Sequence, residues 1–225
     1  MDILFKMFLM LHIVAGTIGL MSGTINIIGK KGGKRHRVIG LIFLYSMLIV
    51  SVSAFVLSIL HSDYFLFIVG VFTLYMTSSG TRYLHLKNLS KGQKPATIDW
   101  VLTYFMLSFG VLFLLFGLYH LVNKNSFGIV CIVFGIIGLR MVRTDFRNFS
   151  GNTEIANAWL VAHIQRMVGA YIATLTAFLV VNNKVIPAYI AWLLPTVIMF
   201  PLIVMWVKKY KVIKRPVVSR IRAEL

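Results

Sequence analysis

Residues 99–121 read DWVLTYFMLSFGVLFLLFGLYHL. This run is almost wholly apolar, and it is longer than the ~20 residues that an α-helix needs to cross the hydrocarbon core of a bilayer. Three other apolar runs precede it and three follow it. In chain order, the fifth of the seven runs is the shortest. The predicted spans are residues 4–28, 38–60, 64–84, 99–121, 126–140, 157–181 and 187–207. The sequence therefore predicts an all-α, polytopic transmembrane bundle of seven helices, forming one domain over residues 1–207.

The composition excludes most other classes of protein. The chain has 225 residues, of which 59% are hydrophobic and only 13% are charged, whereas soluble domains carry roughly 25% charged residues. A disordered chain, a soluble nucleic-acid-binding domain and a disulfide-rich secreted scaffold are all incompatible with this balance. The formal net charge is +17, but the cations lie between apolar runs rather than on one soluble face. The single cysteine, Cys131, cannot form an internal disulfide.

The distribution of lysine and arginine predicts the orientation in the membrane. Cations are concentrated in the connectors after spans 1, 3 and 5 and in the tail, residues 208–225. The opposite connectors contain only Lys124 and Lys184. Because short cytoplasmic loops are enriched in Lys and Arg, we expect the N-terminus outside and the basic tail in the cytoplasm. The cations concerned are Lys30, Lys31, Lys34, Arg35, Arg37, Arg82, Lys87, Lys91, Lys94, Arg140, Arg143, Arg147, Lys208, Lys209, Lys211, Lys214, Arg215, Arg220 and Arg222.

Two acidic residues and two prolines have positions that predict local features of the helices. Asp99 and Glu154 fall at the expected starts of spans 4 and 6, where a carboxylate complements the helix dipole. Pro195 and Pro201 lie inside span 7 and are expected to kink it. Short sequence similarities between spans 1–3 and spans 5–7 are compatible with a parallel internal repeat, an arrangement found in transporters.

Histidines and arginines inside the spans are the candidate functional residues, because ionisable groups at membrane depth are costly. On span 1, His12 shares a helical face with small residues between Ala15 and Gly23. On span 6, His163 shares a face with Arg166. Small residues allow another helix to approach closely, so both histidines are predicted to point into the bundle.

The predicted topology brings several polar residues to the cytoplasmic edge of the bundle. Two facing imidazoles can ligate haem iron, and arginines can bind the haem propionates. Three histidines and a carboxylate could instead hold zinc with a position open for water. The predicted cofactor-binding residues are His12, His36, His85, His163, Arg82 and Arg166, and the predicted metal ligands are His36, His85, Asp145 and His163. At the outer side, His12 could pair only with His61 or His120.

Structural roles compete with each of these functional roles. His12 could simply bond to a neighbouring helix, and His163 with Arg166 could form a structural polar pair or contact lipid headgroups. His36 and His85 adjoin lysines and arginines, which is typical of residues that anchor a helix at the interface. Asp145 could balance the charge of the arginines around it. The chain contains no H-E-x-x-H, G-x-S-x-G or C-x-x-C motif and no phosphate-binding loop.

Three segments carry a resemblance to a known family. They are HIVAG at 12–16, KGGKRHRVIG at 31–40, and HIQRMVGAY at 163–171 with TAFLVVN at 176–182. With these segments the chain resembles a widespread bacterial group of predicted integral membrane proteins of unknown function. The resemblance implies a location in the bacterial inner membrane. It also implies that His12, His36, Arg82, Asp145, His163 and Arg166 match the recurrent polar positions of the group.

Three functions follow, of which a haem-binding or redox membrane protein is the leading hypothesis. Such a protein would use His163 with His36 or His85. A transporter or lipid-binding protein would capture an anionic ligand at the cationic side of the bundle, where anionic headgroups are the expected partners. A zinc-dependent membrane hydrolase is the third alternative. No nucleic-acid partner is expected.

Overall fold

The computed structural model describes residues 2–213, except for the side chains of residues 2, 188 and 189. Seven helices account for nearly all of this part of the chain, and the protein is 83% helical without a β-strand among the described residues. They are α1 (Asp2–Ile28), α2 (Lys34–His61), α3 (Tyr64–Arg82), α4 (Thr97–Val122), α5 (Phe127–Phe149), α6 (Ala158–Asn182) and α7 (Ala188–Tyr210). All seven are long and apolar enough to cross a membrane, which confirms the predicted fold class.

The basic tail is only partly described. Helix α7 continues to Tyr210, a few residues beyond the predicted end of span 7 at residue 207. The tail cations Lys214, Arg215, Arg220 and Arg222 lie outside the described residues, so the predicted tail is not tested here.

Span 5 extends well beyond its predicted end. It was predicted to end at residue 140, but α5 continues to Phe149. Its last turns are amphipathic: Val142, Asp145 and Asn148 are buried at three-residue spacing, whereas Arg140, Arg143 and Arg147 are exposed. The arginines that suggested a connector therefore lie on the outer face of a helix whose inner face remains in the bundle.

The two acidic residues predicted at helix starts behave differently. Asp99 lies in the first turn of α4 and accepts a hydrogen bond from the Ala96 backbone N–H at 2.9 Å, as a capping carboxylate does. The prediction for Glu154 is wrong, because α6 begins only at Ala158. Glu154 instead lies exposed in the preceding connector.

Helix α3 is the centre of the bundle and is the most buried of the seven. It packs against α2, α4 and α6, while α1 packs mainly on α2, α5 on α4, and α7 on α6. Phe72, Tyr75 and Met106 are buried in the core between these helices. A repeat of spans 1–3 in spans 5–7 would require α5 to pair with α6 as α1 pairs with α2, but α5 pairs with α4.

Glycines bring α4 and α5 into backbone contact. A Cβ atom at Gly117 would lie 2.9 Å from the carbonyl oxygen of Gly128, and one at Gly135 would lie 3.0 Å from that of Gly110. Side chains at these positions would force the helices apart, so small residues set the separation of this pair. The close pairing fixes the position along α4 at which the segment of α5 that carries Asp145 packs.

Candidate functional site

Asp145 on α5 is the centre of a buried polar network between four helices. Its carboxylate is fully buried and accepts hydrogen bonds from the hydroxyls of Tyr75 and Tyr83, both at 2.6 Å. Thr103 on α4 lies 3.1 Å from the same carboxylate, and Arg166 on α6 forms an ion pair with it. A carboxylate offers about four acceptor positions. The two tyrosine hydroxyls and Arg166 each donate to one of them, and the single hydroxyl proton of Thr103 is shared between Asp145 and the backbone oxygen of Asp99.

Arg166 is buried as completely as its partner but is less completely bonded. The residue is only 2% exposed, and its guanidinium lies over the rings of Tyr83 and Tyr75, with centroid distances of 4.6 and 5.0 Å. Nη2 donates to Asp145, whereas the buried Nη1 has no hydrogen-bond acceptor among the described residues. The network therefore supplies hydrogen-bond donors to both oxygens of Asp145 but leaves one N–H donor of Arg166 unused.

A second ion pair joins the ends of α3 and α4. Arg82 donates to Asp99 through Nε at 2.8 Å and through Nη2 at 3.1 Å. The Asp99 side chain is 1% exposed, but the Arg82 side chain is 30% exposed. Thr103 links the two ion pairs, because its hydroxyl lies 2.9 Å from the backbone oxygen of Asp99 as well as beside Asp145. The Arg82 pair is thus the outer of two connected ion pairs.

A small cavity lies between the two ion pairs, and we call it the two-pair pocket. Its volume is about 10 Å³, which is about the space that one water molecule needs. One part of the wall is polar and the other part is apolar. The lining residues are Ser79, Arg82, Tyr83, Leu86, Asp99, Leu102, Thr103, Asp145, Phe149 and Arg166.

The two membrane-embedded histidines each direct Nδ1 toward an acceptor. Nδ1 of His163 lies 2.8 Å from the carbonyl oxygen of Gly80, so it carries the proton and donates. Nδ1 of His12 lies 2.9 Å from the Ser53 hydroxyl oxygen, and that hydroxyl in turn lies within 3.0 Å of backbone oxygens of its own helix. Both rings are therefore oriented by α2 or α3, and both are left with Nε2 as the free nitrogen.

The predicted cofactor-binding residues are brought together only in part. His36 and His163 lie near the starts of α2 and α6, and the buried Nδ1 of His36 has no hydrogen-bond partner among the described residues. His85 is exposed on a short 3₁₀ turn, Tyr83–His85. His12 is on the opposite side of the membrane from His163: Thr24 and Tyr171 bond across the helices at 2.7 Å, which places the two histidines roughly 30 Å apart at 1.5 Å per helical residue. They cannot ligate one iron.

The outer histidines are not joined to His12. His61 packs on Phe5, with ring centroids 3.9 Å apart, and His120 packs on Phe116 at 4.4 Å. His12 bonds instead to Ser53, which lies more than two turns from His61 along α2.

The predicted zinc ligands His36, His85, Asp145 and His163 are not assembled. No three histidine, cysteine or acidic side chains among the described residues are close enough to share a metal ion. The oxygens of Asp145 are bonded instead to Tyr75, Tyr83 and Arg166.

Lysines at the same side of the bundle are held by aromatic rings. Lys31, in the connector between α1 and α2, donates to the carbonyl oxygens of Ile27 and Gly29 at 2.5 and 2.9 Å. Its ammonium group lies 4.6 Å from the centre of the Trp206 ring on α7, and partial burial lowers the pKa of Lys31. Lys87 lies over Trp159 in the same way, at 5.5 Å. These contacts are typical of a membrane–water interface.

Sequence reasoning missed the tyrosines of the site. Tyr75 and Tyr83 were not among the predicted site residues, because tyrosine is common in membrane helices. Tyr75 lies on α3 and Tyr83 on the 3₁₀ turn that directly follows it, eight residues further on, with Ser79 and Gly80 between them. That signal could have identified a polar face, but not the acid that both hydroxyls contact. Arg82 was predicted as a cofactor ligand, and its pairing with Asp99 was not predicted.

No family model matches the chain, and neither the curated proteins nor the solved structures contain a match. The resemblance to a bacterial membrane-protein group therefore stays a prediction, and function is argued from the geometry of the site.

Proposed function

We propose that this protein binds an anionic group in the two-pair pocket, as a transporter or lipid-binding protein of the bacterial inner membrane with this side of the bundle in the cytoplasm. The observation that carries the proposal is the unused donor of Arg166. A helix-locking role accounts for the contacts of Arg166 with Asp145 and the two tyrosines, but it leaves Nη1 buried without an acceptor. An unsatisfied buried donor costs about 1–3 kcal/mol, and more when it is charged.

The chemistry of the pocket favours an anion as the missing acceptor. Arginine presents several N–H groups in a plane and binds carboxylates and phosphates with two hydrogen bonds at once. Arg166 supplies such a group at the inner wall, and Arg82 supplies a second one at the outer wall. A water molecule would fill the present volume. Because each arginine already has an aspartate partner, an anion would gain most from the N–H group of Arg166 that has no acceptor among the described residues.

The experiment is a thermal-unfolding titration of protein purified in a neutral detergent. We expect dioleoylphosphatidylglycerol to raise Tm and dioleoylphosphatidylcholine, which has no net charge, to raise it much less. The shift should disappear in Arg82→Gln, whose side chain lines the pocket. It should persist in Arg143→Gln, an exposed arginine of α5 at the same side of the bundle.

Two results would overturn the proposal. One is the absence of a shift with phosphatidylglycerol, inorganic phosphate and acetate alike. The other is an equal loss in Arg143→Gln, which would assign the effect to general surface charge.

A second candidate, haem binding, is favoured by the hydrogen bond from His163 to Gly80. Histidines that ligate metals usually donate their other ring nitrogen to a carbonyl or carboxylate, as Nδ1 of His163 does. Nε2 of His163 and the ring of His36 would hold the haem iron, and bound haem would supply one-electron chemistry. The two-pair pocket is far too small for a porphyrin, so this candidate rests on the histidines.

An absorption spectrum after expression with excess haem tests this candidate. We expect a Soret band that is lost in His163→Ala and retained in the control His61→Ala. A wild-type spectrum without a Soret band would remove the haem function.

A further inference from the structure

We propose that the ligand of the two-pair pocket is an acidic amphiphile, with one anionic headgroup and an acyl chain, and that the Arg82–Asp99 pair opens to admit it. This inference rests on the proposed anion-binding function and specifies both the ligand class and the route. Its observations are the lining of the pocket, the aromatic surface beside it and the unequal burial of the outer ion pair.

The pocket wall is divided in a way that suits an amphiphile. Arg82 and Arg166 lie with Asp99 and Thr103 on the polar part of the wall, and Leu86, Leu102 and Phe149 form the apolar part. Leu86 is already buried, whereas Phe149 is half-buried and packs on Trp100 outside the pocket. An acyl chain attached to the anionic group would pack on this outward-leading aromatic surface, which a small hydrophilic anion cannot reach.

Aromatic residues extend this apolar wall toward the lipid. Trp100 packs on Phe149 and Phe146, with ring centroids 5.1 and 5.8 Å apart, and Tyr104 packs on Phe146 at 5.9 Å. Tyr104 is 52% exposed, so the cluster lies on the outer surface of α4 and α5. Aromatic rings at the end of a membrane helix lie at the level of lipid headgroups. An amphiphile in the bilayer would therefore meet the pocket with its headgroup at the correct depth.

The outer ion pair is built to open from one side. Asp99 stays in place without Arg82, because it is buried, accepts the Ala96 N–H and lies at the N-terminus of α4. Arg82 is 30% exposed, and its long side chain can turn without moving a helix. Rotation of Arg82 toward an incoming anion would enlarge the water-sized pocket. Asp99 would still accept the hydrogen bond from the Ala96 N–H.

The opening step predicts an unusual sign for one substitution. Asp99→Asn keeps an acceptor for the Ala96 N–H but removes the charge that competes with the ligand for Arg82. A partly exposed ion pair is weak, so its removal should tighten binding about twofold to fivefold. If the pair had only a structural role, Asp99→Asn would leave the affinity unchanged or weaken it. Either of those results would overturn the opening step.

The test measures Tm of the full-length protein in dodecyl maltoside against five added probes. Oleate and dioleoylphosphatidylglycerol carry both charge and chain, oleyl alcohol carries the chain alone, and acetate and inorganic phosphate carry the charge alone. We expect a shift with oleate or phosphatidylglycerol only, lost in Arg82→Gln and kept in Arg143→Gln. A larger shift with phosphatidylglycerol than with oleate identifies a membrane lipid as the source, and the reverse identifies a free acid.

The two levels of the proposal fail separately. Equal shifts with acetate and oleate would overturn the amphiphile and leave anion binding intact. Equal shifts with oleyl alcohol and oleate would overturn both, because the charge would then be irrelevant. The absence of any shift would also overturn both.

Discussion

Asp145→Asn should destabilise the protein more than any other substitution of similar volume in the site. The change preserves the size of the side chain, so it creates no cavity. It removes the one carboxylate among the described residues that contacts Arg166, and it leaves an arginine that is only 2% exposed without this counter-ion. Removing one partner of a buried ion pair costs about 3–5 kcal/mol.

The reciprocal change should cost less. In Arg166→Met, Asp145 retains the hydroxyl donors of Tyr75 and Tyr83. The double variant removes both charges of this ion pair, so its loss should fall short of the sum of the single losses by about 0.5–3 kcal/mol. This non-additivity separates the ion pair from simple packing effects.

Equilibrium unfolding in mixed micelles of dodecyl sulfate and dodecyl maltoside, followed by circular dichroism, measures these losses. Arg143→Met is the matched control, because this arginine is exposed on the same helix, and it should change stability by less than about 0.5 kcal/mol. A loss of unfolding free energy below about 1 kcal/mol for Asp145→Asn, or additive losses in the double variant, would show that the Asp145–Arg166 pair does not stabilise the fold.

Two further predictions concern the fold and its orientation. Gly135→Leu should lower Tm strongly, because the leucine side chain would meet the Gly110 carbonyl and separate α4 from α5. The control Gly33→Ala should leave Tm nearly unchanged, because there is open space around Gly33. Equal effects of the two substitutions on Tm would contradict the close packing of α4 on α5. Reporter fusions at the two ends should lie on opposite sides of the membrane, with the C-terminal reporter in the cytoplasm, and reporters on the same side would exclude seven crossings.

The number and approximate positions of the helices were predictable, because the hydropathy of a span depends on its own residues. The end of α5 was not predictable, because the arginines at 140, 143 and 147 alternate with buried residues such as Val142 and Asp145. The mean hydropathy of a window that contains these arginines is low, so the segment is predicted to be a connector rather than part of a helix. Arginine side chains at the end of a membrane helix extend into the interface, so a charged segment can remain helical and keep one face in the core.

The candidate site was predictable residue by residue but not as an arrangement. Asp145 and Arg166 were identified because charged side chains are rare within spans, and the structure pairs them. Their partners Tyr75 and Tyr83 are common residues in membrane proteins and become distinctive only through the direction of their hydroxyls. That direction depends on the position of α3 between α4, α5 and α6, which a single sequence does not encode in any local pattern.

The high net charge of the protein makes salt dependence the sharpest way to separate pocket binding from surface attraction. With a formal charge of +17, the cationic surface attracts anionic amphiphiles of any kind. The Debye length falls from about 8 Å at physiological ionic strength to about 3 Å at 1 M, and buried charges are screened much less than exposed ones. Salt should therefore weaken oleate or phosphatidylglycerol binding overall, while the ratio of affinities between wild type and Arg82→Gln stays nearly constant. Should the two proteins converge in affinity at 1 M salt, the amphiphile would be held by the exposed cations, and the two-pair pocket would have no part in binding.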